Sequence, residues 1–471
     1  MKDFFSNQKF FLMGIKGVAM TSMAQLLIDA GKTVTGVDVK EDFVTKKILD
    51  NLELEIYHDF SMDIPEGTDC VIFTAAHQGP NNPLVIRAEQ NGIQTFSQAE
   101  ALGEFFNTKK GIAVCGVGGK SSTSAMISHI FEQINPQSFS VGVGNISGLG
   151  KTGSYLPDST YFIAEADEYV VDPSAPSKGI EITPRFIYLR PFITICTNLE
   201  FDHPDVYRDF EHTKSVYKTF FNSVNKEGSL IINIDDDDLV ELAEGVSVRK
   251  FTFGKKQEAD LRLVEYHAVE GSVGAKLLYQ GNDYLLKLVV PGIYNVYNAM
   301  AAILACLEAG LEINEVLTAL ESFNSTMRRF EFIGEKNGVK YYDDYAHHPH
   351  EIKKVIKAFS EWYPNSRKII AFQSHTYSRT KQLFGDFIKS FDEADKLVMI
   401  DIFASAREPF DDSVSSDLLC AEINKINANI KAQNLGTIHN LSNYFNQELE
   451  PGDVVLTIGA GDIYQVHDLV E

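Results

Sequence analysis

Residues 115–125 read CGVGGKSSTSA, which is three glycines, a lysine and a run of hydroxyls where an apolar stretch gives way to helical spacing. Backbone amides at a helix start, together with the helix dipole, favour an anion at such a turn. In a nucleotide loop, Lys120 reaches the β/γ-phosphates and Ser121 ligates Mg²⁺. The loop is shorter than G-x-x-x-x-G-K-[ST], because Val114 stands where that pattern needs its first glycine. A glycine-rich turn with no ligand has the same composition, so the loop alone leaves both readings open.

Further stretches carry reactive side chains. In GIKGVA (14–19), Lys16 and Ala19 occupy the second and third glycine positions of G-x-G-x-x-G. A side chain at the second position disfavours a nicotinamide dinucleotide. A phosphate-bearing ligand at Gly17, helped by Lys16, remains open beside a plain tight turn. EADEYVVD (165–172) puts Glu165 at the end of an apolar run, and TNLEFDHPDVY (197–207) sets Asp202 and His203 in a turn. A carboxylate beside a phosphate loop can hold a metal. Hard Mg²⁺ prefers oxygen, so His203 taken alone reads first as structural. DDYAHHP (343–349) and FQSHTYSRT (372–380) place His, Tyr and Arg just past two strands, the end where open α/β sheets bind ligands. Asp235–Asp238 reads as a solvated strand end or turn.

These residues need a scaffold of alternating strands and helices. KFFLMG (9–14), VAMTSMAQLLIDAG (18–31) and KTVTGVDV (32–39) form a β-α-β opening, which predicts a parallel sheet. A second such opening begins at GIAVC (111–115), and the last segment alternates again through 339–359, 367–374, 395–403 and 453–462. At roughly 150 residues per domain, the 471 residues allow about three domains. The net charge of −23 disfavours a nucleic-acid or anionic-membrane coat. Five cysteines without C-x-x-C spacing read as reduced thiols of a cytoplasmic protein. The N-terminal run predicts no signal peptide, and no apolar stretch reaches membrane-helix length.

Taken in order, the motifs resemble the Mur ligase family. Its phosphate loop is a short G-T-x-G-K-[ST], matched by Gly116, Gly119, Lys120 and Ser121. GIKGVAM (14–20), EADEY (165–169), TNLEFDH (197–203), YNVYNAMAA (294–302), Arg328–Glu331, DDYAHHPHE (343–351), FQSHTYSRT (372–380) and LTIGAGDI (456–463) are each similar to a family segment. The resemblance implies an α/β chain of three domains: an N-terminal Rossmann-like domain for a UDP-sugar (1–108), a central P-loop ATPase-type domain (109–325) and a C-terminal Rossmann-like domain for an amino acid (326–471). It implies ATP and Mg²⁺ as cofactors. The implied partners are small molecules, UDP-N-acetylmuramate and an amino acid, in a monomer or homodimer without nucleic acid or membrane. L-Alanine is the expected amino acid, with tripeptide addition or a catalytically weakened homologue as alternatives.

Carried over by residue, the resemblance implies that Lys120, Glu165, His203 and Arg329 are catalytic. ATP contacts fall on Gly116, Val117, Gly118, Gly119, Lys120, Ser121, Ser122, Asn295, Asn298, Arg329 and Asp344. Ser121, Glu165 and His203 are the implied metal ligands. Gly14, Lys16 and Gly17 face the UDP diphosphate, and Tyr345, His375 and Arg379 form the amino-acid pocket. Four departures stand out: Val117-Gly118 in the loop, Tyr294 for a histidine, Tyr169 after EADE, and Thr376 where the alanine-adding pattern has a second arginine. Val216 occupies the position of a carbamylated lysine in sister ligases, so no carbamate is expected.

Overall fold

The computed structural model describes residues 3–143, 145–146, 148–203, 206–404, 410–427 and 429–470. Its contacts group into two compact units, one of residues 1–265, 275–286 and 294–323, the other of 266–274, 287–293 and 324–471. Among the described residues no helix is long and apolar enough to cross a membrane.

The first unit holds two α/β layers. A five-stranded, all-parallel sheet runs in the spatial order Glu55–Tyr57, Thr33–Val37, Lys9–Met13, Cys70–Phe73, Gln94–Ser97. Lys9–Met13 sits at its centre with Phe11, Leu12 and Met13 fully buried, as a strand covered on both faces requires. In the larger central sheet, Lys110–Cys115 lies between Ile193–Cys196 and Tyr161–Glu165, all parallel, with Ser229–Asn233 and Arg249–Gly254 continuing beyond Ile193–Cys196. The ends of these three middle strands release the phosphate loop, the EADE segment and the Asp202-His203 turn on one edge. The two layers join in one unit because the helix Val18–Asp29 packs on the edge of the central sheet. There Ser22 Oγ lies 2.7 Å from Ser140 Oγ, and Gln25 Oε1 accepts from Thr152 N and Gly153 N.

The second unit carries a six-stranded sheet in the order Glu331–Lys336, Val339–Asp344, Val454–Ile458, Lys368–Phe372, Lys396–Met399, Ala432–Asn434. Only the first pair is antiparallel. The chain enters this sheet through a buried guanidinium. Arg328 donates from Nε to Asp343 Oδ2 at 2.9 Å and from its two Nη atoms to the carbonyls of Gly461 and Gly459. Its guanidinium also lies over the rings of Tyr345 (5.1 Å) and Tyr464 (4.5 Å). Thr457 Oγ1 donates to the other Asp343 oxygen at 2.6 Å. Removing one partner of such a pair strands the other charge in the interior. Arg328→Ala is therefore expected to destabilise this unit by about 3–5 kcal/mol, read from denaturant unfolding; a loss below about 1 kcal/mol would contradict the assignment.

Candidate active site

The phosphate loop is braced from behind by side chains of other elements. Asn198 Oδ1 accepts from Gly118 N at 2.9 Å, and Thr197 Oγ1 donates to Gly118 O at 2.6 Å. Both residues follow the strand Ile193–Cys196. From the helix Ile293–Glu308, Asn298 presses on the loop: a Cβ on Gly119 would sit 2.4 Å from its Oδ1. Gly119 has φ +87° and Gly116 φ +121°, where a Cβ would meet Thr197 Oγ1 at 2.2 Å. Both positions therefore need glycine for conformation and for space. The helix Lys120–Ile134 starts directly after the loop, with its first amides at the turn.

The Lys120 ammonium lies inside the loop, donating to Gly116 O (2.7 Å), Val117 O (3.4 Å) and Glu168 Oε1 (3.1 Å). Burial works against its charge, but the carboxylates of Glu168, Asp167 and Glu165 overcome that and hold it above the usual lysine range. Glu165 accepts from Gly142 N at 2.9 Å; burial raises its carboxyl, and Lys120 and the nearby Ser121 hydroxyl work the other way. Thus two of the expected ligands, Ser121 and Glu165, lie close enough to act on each other. His203 is held differently: its Nε2 lies 3.5 Å from Glu168 Oε1 and 3.6 Å from Asp202 Oδ2, and its ring packs on Tyr169 at 4.8 Å. Burial lowers the imidazole's proton affinity, and the Glu168 hydrogen bond with the nearby carboxylates raises it past the ordinary value.

Glu168, Asp202 and His203 offer ligand atoms all within 4.8 Å of one another. Glu168 is 2% exposed, and its Oε2 accepts no aligned hydrogen bond although Lys120 Nζ is 3.0 Å away. Two carboxylates, one with an oxygen that accepts no aligned hydrogen bond, suit a hard divalent cation, with His203 as the single nitrogen donor. Glu168 is the site residue that sequence reasoning passed over. It lies inside the quoted EADEY segment, but only the turn after Glu165 brings it back onto Lys120.

Toward the small sheet, a cavity of about 200 Å³ is lined by Val18, Gln98, Ser140, Gly142, Glu165 and Arg185 among others. Gly14 has φ +82°, and Gly17 precedes the helix Val18–Asp29. Lys16, expected to face a diphosphate, spends its ammonium on the carbonyls of Val39 (2.8 Å), Lys40 (3.2 Å) and Glu41 (2.7 Å). It must exchange those carbonyls to reach a ligand. Asn295 and Asn298 are buried on one helix, with Asn298 Nδ2 donating to Asn295 Oδ1 at 3.3 Å.

In the second unit, Asp344 accepts from Phe330 N at 2.8 Å and Ala346 N at 2.7 Å; burial, opposed by Arg329, pushes its carboxyl up to about 6. The Arg329 guanidinium lies 5.6 Å from the Tyr345 ring centre. His375 stacks on Phe403, and Arg379 Nη1 is 3.5 Å from His375 Nδ1. Tyr345, His375, Arg329 and Arg379 thus cluster past the ends of Val339–Asp344 and Lys368–Phe372, the two strands that flank Val454–Ile458. Thr376, at φ +67°, has its side chain accepting from Arg379 N, so it caps the helix Tyr377–Gln382.

Known proteins are similar to this chain in sequence and in fold. Family models match residues 10–110 (Mur ligase family, catalytic domain), 114–306 (Mur ligase middle domain) and 328–461 (Mur ligase, glutamate ligase domain). The UDP-N-acetylmuramate–L-alanine ligase of Clostridium acetobutylicum is 35% identical over 469 residues, covering 98% of this chain and 97% of its own. The chain belongs to the Mur ligase family. It is an ATP-dependent, amide-forming ligase by class. The namesake enzyme of Clostridium novyi is also 35% identical, over 475 residues, covering 100% of this chain and 98% of its own. The three-domain α/β fold is that of the UDP-N-acetylmuramate-alanine ligase of Thermotoga maritima (TM-score 0.80, 23% identity, 98% and 97% of the two chains covered). A murein peptide ligase from Psychrobacter arcticus is similar at TM-score 0.69 and 20% identity, with 98% of this chain and 97% of its own covered.

The bracing of this Mur ligase's loop gives a direct check. Gly119→Ala forces a side chain onto Asn298 at a positive φ, a strain of about 1–3 kcal/mol. Calorimetric titration with ATP is expected to show affinity lower by about tenfold or more; unchanged affinity would mean that the loop does not hold the nucleotide.

Proposed function

We propose that this Mur ligase joins L-alanine to the lactyl carboxylate of UDP-N-acetylmuramate, using ATP and Mg²⁺ and passing through an acyl phosphate. The observation that carries the chemistry is the buried Lys120 ammonium inside a glycine loop, at a helix start, with Ser121 and Glu165 beside it. Full-length identity with relatives named for L-alanine addition supports the substrates.

In this reading Lys120 leaves Glu168 and the loop carbonyls to stabilise the transferring phosphoryl group, an act of positioning and charge neutralisation. Gly116, Val117, Gly118, Gly119 and Ser122 supply loop and helix-start contacts, Asn295 and Asn298 the adenine side, and Arg329 with Asp344 further nucleotide contacts. Ser121, Glu165 and His203 hold Mg²⁺, with Glu168 and Asp202 beside His203. When bound, the cation offsets negative charge on the phosphates. Gly14, Lys16 and Gly17 face the UDP diphosphate. Tyr345, His375 and Arg379 receive the amino acid. We assign these tasks to domains 1–108, 109–325 and 326–471, in a cytoplasmic protein whose five thiols are free and buried.

A second reading, tripeptide addition to the same UDP-sugar, is favoured by Thr376. The position of a second carboxylate-gripping arginine is given to a helix cap, and bidentate carboxylate recognition is an arginine task.

Phosphate release with ATP and UDP-N-acetylmuramate, across a panel of amino acids and the tripeptide, tests both. L-Alanine is expected to give the highest kcat/KM; a preference for the tripeptide would put the second reading first. Lys120→Ala is expected to lower turnover at least a hundredfold, about 2.7 kcal/mol, and a loss under tenfold would contradict its role. Arg379→Ala should raise the amino-acid KM well above any change in the ATP KM. Equal dependence on the amino acid before and after would place the carboxylate elsewhere.

A further inference from the structure

His347 lies in the turn between the strand Val339–Asp344 and the helix Pro349–Trp362, within the cluster that holds Tyr345, His375 and Arg379. We propose that His347 is the catalytic base of the amine step, its Nε2 lone pair taking a proton from the ammonium group of the incoming amino acid. This rests on the acyl-phosphate reading above.

The tautomer follows from one contact. Nδ1 lies 3.1 Å from the carbonyl oxygen of Tyr345. A carbonyl can only accept, so Nδ1 carries the hydrogen and Nε2 carries the lone pair. The ring is half-buried, edge-on to Tyr345 at 5.3 Å and to His375 at 6.5 Å. From the helix, Glu351 brings its charge to bear on the imidazole and keeps a buried Oε2 without a hydrogen-bond partner.

Charged groups face the ring from several elements: Glu351 from the helix, Arg329 from the segment before Glu331–Lys336, and Arg379 from the helix Tyr377–Gln382. Burial and the two guanidiniums hold the imidazole below the usual histidine range, with Glu351 opposing them. The ring is therefore neutral near neutral pH and able to accept a proton. The same positive field weakens the ammonium's grip on its own proton.

The step balances without another reagent. A free amino acid at neutral pH is an ammonium with no lone pair. Transfer of one proton to His347 Nε2 gives an amine and an imidazolium. The amine forms a C–N bond at the acyl-phosphate carbonyl, the bond from that carbon to the bridging oxygen breaks, and phosphate leaves with that oxygen. A second proton departs from nitrogen with the phosphate, and the imidazolium returns its proton to water.

The test uses two acceptors on the full chain. Hydroxylamine is a weakly basic amine that is already unprotonated at neutral pH, and it captures acyl phosphates as hydroxamates. In His347→Asn the side-chain amide nitrogen replaces Nδ1 as donor to Tyr345 O. This variant is expected to lose about a hundredfold or more in kcat with L-alanine, while ATP-dependent hydroxamate formation stays within about threefold of wild type. Parallel loss of both activities would make His347 structural, and full activity with L-alanine would free it of any role; either overturns the proposal. Glu351→Gln should move the acidic limb of the kcat/KM profile for L-alanine to lower pH, because a charge that favours the imidazolium is gone; an unmoved limb contradicts the assignment. Failure of the wild-type protein to form either product would instead overturn the acyl-phosphate reading.

Discussion

A buried ammonium must find acceptors, and Lys120 finds them in the loop that presents it. With its charge taken up by two loop carbonyls and Glu168, the loop closes on its own lysine. That closure depends on several elements arriving together. The strand Lys110–Cys115 delivers the glycines, Ile193–Cys196 delivers Thr197 and Asn198, Tyr161–Glu165 delivers the carboxylates, and Asn298 bears on Gly119 from a helix far along the chain. Phosphate is the natural replacement for those acceptors, because it offers several oxygens at once and brings compensating negative charge.

The second unit uses the same economy with a different cation. Arg328 is taken up by structure, lying over the rings of two tyrosines and bonded to Asp343 and two glycine carbonyls. Its neighbour Arg329 lies beside the same Tyr345 ring, 5.6 Å from its centre. Adjacent arginines in one motif thus differ, Arg328 being bonded into the sheet while Arg329 acts on the Asp344 carboxyl by charge. Asp344 makes a similar bargain, since its oxygens are spent on the amides of Phe330 and Ala346 before any ligand arrives.

Local patterning in the sequence carries the strands, the two β-α-β openings, the helix start at Lys120 and the shortened loop, because apolar runs and glycines act over a few residues. The buried thiols follow from their apolar flanks. Side-chain pairing across elements is not legible in this way. Lys16 reads as facing a phosphate by its place in a glycine turn, and nothing in that spacing shows that carbonyls of residues 39–41 hold its ammonium. Glu168 reads as a neighbour of Glu165, yet the chain reverses and sets it on Lys120 and His203. Thr376 reads as a lost arginine, and only the backbone at φ +67° reveals it as a helix cap. In each case the deciding partner is a carbonyl or carboxylate from elsewhere, which spacing cannot specify.

The central claim is that the loop around Lys120 serves transfer of a phosphoryl group to a carboxylate, which then leaves as phosphate carrying one of the carboxylate's oxygens. Isotope tracing reads this directly. UDP-N-acetylmuramate labelled with ¹⁸O in its lactyl carboxylate is turned over with ATP and L-alanine, and the released phosphate is analysed by mass. The account predicts one ¹⁸O in each phosphate formed from doubly labelled carboxylate. Phosphate released without label during ligation would contradict it.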